Sequence, residues 1–140
     1  MMKAVIFDCF GVMLIDSAIG EVRDEVLLQY ITEVRKSYKT ALLSNISREG
    51  LEARFDDSEL AKLFDVVAPS AEIGYAKPEA GAYEYVAKQL GVQPSECVMI
   101  DDREDLCTGA EQAGMRAIVY RSPSQLREAM DTLLANNASE

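Results

Sequence analysis

Two short runs, "AVIFD" (Ala4–Asp8) and "CVMIDD" (Cys97–Asp102), drive apolar residues straight into carboxylates. Such a run reads as a strand buried on both faces, which demands a sheet covered from both sides. A charge at the end of a buried strand is costly unless it is solvated, paired or metal-bound. Read alone, Asp8 is also compatible with a local turn hydrogen bond. The rest of the chain decides between the two.

Strand and helix patterns alternate along the sequence. Gly11 to Ser17 reads as a loop and Ala18 to about Ser37 as a helix, because Val22, Val26, Tyr30, Val34 and Tyr38 recur every four residues. "KTALLSN" is a second strand, ending in Ser44 and Asn45, and short helical pieces follow at Arg48 to Phe55 and Ser58 to Phe64. "DVVAPS" is a third strand. Lys77-Pro78 opens a helix through Leu90, with Pro in its first turn and Gly91 stopping it. "CVMIDD" is the fourth strand, Glu104 to Ala113 a helix ended by Gly114, "RAIVY" the fifth strand, and Pro123 to Leu134 the closing helix. This alternation predicts an α/β, Rossmann-like three-layer sandwich with a mostly parallel five-stranded sheet. Residues 1–135 are expected to form one core domain, with a frayed tail over 136–140. Ligands of such sheets bind at the carboxyl ends of the strands, near the switch in strand order. Asp8, Ser44 and the pair Asp101-Asp102 all end strands, so one crevice could collect them.

Composition narrows the chemistry. There is no histidine in the 140 residues, which excludes Ser-His, Cys-His and His-metal sites. Any acid or base is therefore a carboxylate, Lys, Tyr or Cys. Cys9, Cys97 and Cys107 have no CxxC spacing and read as reduced, buried small residues. A formal net charge of -10 argues against a nucleic-acid binder but not against a divalent-metal enzyme. No stretch reaches membrane-spanning length and the N-terminus has no signal-peptide pattern, so a cytoplasmic protein with no membrane contact is expected.

Taken in order, "FDCFGVM", "LLSN", "GYAKPEAGAY" and "VMIDDREDLCTGAEQAGM" resemble the four motifs of the haloacid dehalogenase superfamily, across roughly Lys3 to Tyr120. The resemblance implies a magnesium-dependent hydrolase, expected to be a phosphatase. Asp8 would attack phosphorus and form an aspartyl-phosphate. Magnesium would be held by Asp8, the backbone carbonyl of Phe10, and Asp102. Ser44 and Asn45 would bind the phosphoryl group of a phosphorylated substrate, and Lys77 would neutralise charge on nucleophile and phosphate. Asp101 and Asp105 are secondary candidates, and one of the Asp101-Asp102 pair could instead cap the following helix.

The pattern is broken in three places. Phosphatases of this superfamily usually carry an acid/base aspartate two residues after the nucleophile, where this chain has Phe10. Loss of such a group typically costs about 100- to 10,000-fold in rate. Glu72, Asp101, Glu104 and Asp105 are the carboxylates that could substitute for it. Leu106 stands where the fourth motif often has Asn or Asp. Only about 36 positions separate Asp8 from Ser44, too few for the helical cap domain of many relatives. A capless site is open, and a homodimer or a partner subunit could cover it. Two further readings therefore stand beside the phosphatase: a catalytically impaired binding or interaction module, and a haloacid dehalogenase-type hydrolase, which Phe10 would suit. A receiver domain of the response-regulator kind fits the residue types but not their order, because its acidic pair precedes the phosphorylated aspartate.

Overall fold

A computed structural model describes residues 1–138 of the chain. Its main sheet has five strands: β1 (Ala4–Phe7), β4 (Lys39–Ser44), β5 (Val66–Pro69), β6 (Cys97–Asp101) and β7 (Arg116–Val119). They lie in the order β5-β4-β1-β6-β7, every pairing parallel. The chain thus builds outward from β1 to β4 and β5, then returns to lay β6 against the other side of β1. That return is the reversal beside which ligands bind in sheets of this kind.

Period-two alternation sorts the β1 side chains onto two cores. Val5 and Phe7 pack with Leu27, Ile31, Leu126 and Met130 from α1 (Glu25–Arg35) and α7 (Pro123–Ala138). Ala4 and Ile6 pack on the opposite face with Tyr83, Val86, Leu90 and Ala110 from α5 (Ala80–Leu90) and α6 (Glu104–Gln112). Three short helices, α2 (Arg48–Glu52), α3 (Asp57–Leu63) and α4 (Ser70–Ile73), complete the connections, with a 3₁₀ turn over Pro94–Glu96. All three cysteines are free and buried, as their spacing predicts. Among the described residues no helix is long and apolar enough to cross a membrane.

The expected helix from Ala18 is the main correction. The segment instead forms an antiparallel hairpin, β2 (Leu14–Ser17) and β3 (Gly20–Arg23), and the helix begins only at Glu25. Gly20 adopts φ +106°, a conformation that a helix cannot use. Asp24 then caps α1, its carboxylate accepting from the Leu27 N–H at 3.1 Å. Val22 and Val26, read as part of the buried stripe, are exposed. Likewise α5 starts at Ala80, leaving Lys77-Pro78 in the preceding loop, and α7 runs on to Ala138, past the expected end at Leu134. Of the tail expected to fray, residues 139–140 lie outside the described residues. Between β1 and β4 the chain holds the hairpin and one helix, with no cap domain.

Candidate active site

The carboxyl ends of β1, β4 and β6 open onto a pocket of about 510 Å³ that Asp8, Phe10, Ser44, Asn45, Lys77 and Asp102 all line. Asp8 follows the last residue of β1, and its amide N–H donates to the Ile100 carbonyl at 3.0 Å, tying it to β6. The residue is 7% exposed. Burial pushes the Asp8 carboxyl from the ordinary 3.8 up to about 6, the Lys77 charge pulling it down and the Asp101 charge pushing it further up.

Lys77 is the hinge of the electrostatics. Its ammonium donates to Asp8 Oδ1 at 2.9 Å and to Asp101 Oδ2 at 2.8 Å, and all three residues are buried. The cation between the two carboxylates leaves the group one charge negative, and at Asp8 it offsets only part of the cost of burial. Two features bring Lys77 here. The Asn45 side chain clamps the Lys77 backbone, accepting from its N–H at 2.9 Å and donating to its carbonyl at 3.0 Å. Gly109 on α6 lets the loop sit close, since a Cβ there would lie 2.6 Å from Pro78 Cβ. The Asn45 side chain, expected to hold substrate, is thus spent on positioning Lys77.

The acidic pair at the end of β6 divides its work. Asp101 is fully buried and accepts from the Arg103 N–H at 3.2 Å as well as from Lys77, a turn contact ahead of α6. Asp102 faces the pocket instead. Gly11 makes room for it: at φ +80°, a Cβ on Gly11 would stand 2.2 Å from Asp102 Oδ2. Burial first, and the Asp101 charge second, push the Asp102 carboxyl above the usual carboxylate range. Carboxylate oxygens of Asp8, Asp101 and Asp102 lie within 4.8 Å of one another. This all-oxygen set fits a hard divalent cation such as magnesium, with Asp8 and Asp102 presenting their oxygens to the pocket.

Ser44 Oγ, at the end of β4, is buried and has no hydrogen-bond partner among the described residues. Leaving a buried hydroxyl unmade costs about 1–3 kcal/mol, so the site holds a donor waiting for an acceptor. Leu106 lines the pocket as an apolar residue, its carbonyl taken by the Tyr83 hydroxyl at 2.7 Å. Asp105 is not brought into the site. It is exposed and paired with Arg103 at 2.7 Å. Cys9 is buried beside Asp8, and burial above all pushes its thiol up to about 12, which removes it as a nucleophile.

The hairpin forms the pocket's outer wall, a feature the expected helix concealed. Leu14, Ile15, Asp16 and Glu21 line the pocket from it. Glu21 is held by Arg54 at 2.8 and 3.1 Å, and the Arg54 guanidinium stacks 5.0 Å over the Phe10 ring. The Phe10 side chain therefore serves as a platform for the hairpin's anchor. The period-two pairing of Ile15 with Val22 around Ala18-Ile19-Gly20 is the signal that could have revealed it.

With this geometry in place, known proteins give the site a context. The family model of the haloacid dehalogenase-like hydrolases matches residues 16–114, beginning after Asp8 and Phe10. A phosphatase of Mycobacterium tuberculosis is 37% identical over 95 residues, covering 67% of this chain and 44% of the relative. Human N-acylneuraminate-9-phosphatase is 33% identical over 91 residues, covering 64% of this chain and 37% of the relative. The chain thus spans less than half the length of these relatives. Among solved structures, a HAD family enzyme of Bacteroides thetaiotaomicron in complex with magnesium and inorganic phosphate superposes with TM-score 0.75 at 16% identity, covering 86% of this chain and 95% of that one. A Corynebacterium glutamicum protein shares the fold over 96% of both chains, with TM-score 0.79 and 23% identity.

Proposed function

Because the chain belongs to the haloacid dehalogenase-like hydrolase family, we propose that it is a magnesium-dependent phosphohydrolase acting on a phosphate monoester through an aspartyl-phosphate on Asp8. The observation that carries this reading is the unpartnered Ser44 hydroxyl, buried in the lining of the pocket that Asp8 also lines. A phosphoryl oxygen is the acceptor that such a hydroxyl lacks. The phosphatase relatives and the magnesium and phosphate bound by the Bacteroides enzyme support the same chemistry.

Asp8 presents a carboxylate oxygen to the pocket while Lys77 grips the other side of the group, so the nucleophile has one orientation. Asp8 attacks phosphorus in line, the leaving oxygen departs with the alcohol, and water then opens the aspartyl-phosphate. Ser44 donates to a phosphoryl oxygen throughout, and the Lys77 ammonium lowers the cost of gathering negative charge beside two carboxylates. Asp8, Asp102 and the Phe10 carbonyl would hold magnesium, which supplies neutralisation of the phosphoryl oxygens when bound.

Phe10 favours a second reading, a domain that binds metal and phosphate with little turnover, since a phenyl ring exchanges no protons. One experiment separates the two. Phosphate release from a panel of monoesters is measured with and without magnesium, for the native chain and Asp8→Asn. The phosphohydrolase reading expects turnover that needs both magnesium and Asp8. The binding reading expects no phosphate release above that of Asp8→Asn, with or without magnesium.

A further inference from the structure

Phe10 leaves a phosphohydrolase without the proton exchanger that should face the leaving group. The pocket itself supplies four carboxylates: Asp8, Asp16, Glu21 and Asp102. Three are committed. Asp8 is bonded to Lys77, Asp102 sits against Gly11 beside Asp8 where a cation would be held, and Glu21 is fixed by two hydrogen bonds from Arg54 that keep it ionised. Asp101 is fully buried between Lys77 and the Arg103 N–H and does not reach the pocket wall. The other candidates from the sequence lie elsewhere: Glu72 is paired with Arg48 at 2.8 Å, Asp105 with Arg103 at 2.7 Å, and Glu104 with Arg121 at 3.6 Å. Among the described residues the Asp16 carboxylate makes no hydrogen bond or ion pair, and, unlike Asp102, it lines the pocket from the hairpin, away from the place a cation would occupy.

The hairpin that carries Asp16 is tied down at its base and along β3. At its base the Gly11 N–H donates to the Leu14 carbonyl at 2.7 Å and the Asp24 N–H to the Met13 carbonyl at 3.0 Å. On β3, Glu21 is tied to Arg54, which is itself bonded to the Gly50 carbonyl at 2.7 Å, and Arg23 pairs with Glu59 while stacking 5.0 Å over Phe55. Asp16 lies opposite Glu21 in the hairpin register, so its strand position is set by a neighbour anchored to the core. The charged groups around it are Glu21 and Arg54 from the wall and Asp8, Lys77, Asp102 and Arg103 from the floor.

We infer that Asp16 is the catalytic acid and base that replaces the function absent at Phe10, an assignment that rests on the phosphohydrolase reading. In the first step the Asp16 carboxyl gives a proton to the leaving oxygen as the ester P–O bond breaks and the bond from Asp8 to phosphorus forms. In the second, the Asp16 carboxylate takes a proton from the water that attacks phosphorus, the bond to Asp8 breaks, and inorganic phosphate leaves. Asp8 and Asp16 return to their starting states, and the net reaction is hydrolysis of one monoester by one water. Placing the exchanger on the hairpin also places it on the solvent side of the phosphoryl group, where leaving group and attacking water both pass.

Asp16→Asn tests this with two substrates whose leaving groups differ in their need for a proton. For glycerol 3-phosphate, kcat should fall about 100-fold or more. For p-nitrophenyl phosphate, whose leaving group departs unaided, the variant should release p-nitrophenol in a burst equal to the enzyme present and then stall as phosphoenzyme, because the water step still lacks its base. The melting shift produced by magnesium with beryllofluoride, which mimics a phosphoryl group on a carboxylate, should be retained by Asp16→Asn. Unchanged glycerol 3-phosphate turnover in the variant, or equal loss on both substrates with no burst, overturns the assignment while leaving Asp8-dependent turnover in place. A native protein with neither turnover nor a beryllofluoride shift overturns the phosphohydrolase reading itself.

Discussion

Replacing Asp8 by Asn should make the metal-free protein more stable, and the gain should appear only as pH rises. Folding carries the Asp8 carboxyl from the ordinary 3.8 up to about 6, chiefly by burial. The folded state therefore holds the proton more tightly than the unfolded chain. The group's contribution is fully favourable below pH 3.8 and is lost as pH climbs through about 6. A rise of about two pH units corresponds to about 3 kcal/mol at pH 7, at about 1.4 kcal/mol per unit. Asn is close in shape, its amide oxygen still accepts from Lys77, and it carries no charge to desolvate. Urea unfolding in chelator, from pH 4 to pH 8, should show Asp8→Asn gaining about 3 kcal/mol at pH 7 and less than about 1 kcal/mol at pH 4. An Asn variant less stable than the native chain at pH 7 would refute the reasoning, because the ion pair with Lys77 would then outweigh the burial of the carboxylate.

Two further predictions concern positioning. Gly11→Ala puts a methyl group where Asp102 Oδ2 stands, 2.2 Å away, at a φ of +80°. It should cost at least about 1 kcal/mol in urea unfolding and, by displacing Asp102, raise the magnesium concentration that phosphate release requires. Asn45→Ala removes both side-chain bonds to the Lys77 backbone. It should cost about 1–3 kcal/mol and lower kcat more than it raises KM, because it loosens Lys77 without touching the substrate directly.

Much of the fold was legible because burial on both faces leaves an unambiguous mark. "AVIF", "TALLS" and "CVMI" are uninterrupted apolar runs too short for helices, and they became the three central strands. Their polar ends converge because parallel strands start at one edge and finish at the other. The hairpin was illegible for a specific reason. Val22 and Val26 continue the four-residue spacing of Tyr30 and Val34 by coincidence, and Gly20 was outvoted by that pattern. An exposed carboxylate such as Asp16 leaves no periodic trace at all, so only the pocket makes it a candidate. Asn45 shows the remaining ambiguity: a polar residue at a strand end reads equally as a donor to a ligand or to the neighbouring loop. The resemblance favours Asp102 over Asp101 for the metal, and Gly11 gives the physical reason, since its missing side chain leaves room for the Asp102 carboxylate against the turn after β1.

The central claim is that this pocket is built to carry a phosphoryl group on Asp8 beside magnesium. Thermal unfolding with magnesium alone, and with magnesium plus beryllofluoride, tests it without knowledge of the substrate. At about 100 times its dissociation constant the ligand pair should add about 2.7 kcal/mol, or about 9 °C for a chain of 140 residues. A shift of that size is expected to require both magnesium and the Asp8 carboxylate, and to vanish in Asp8→Asn. No shift in the native protein, or one that survives in Asp8→Asn, would contradict it.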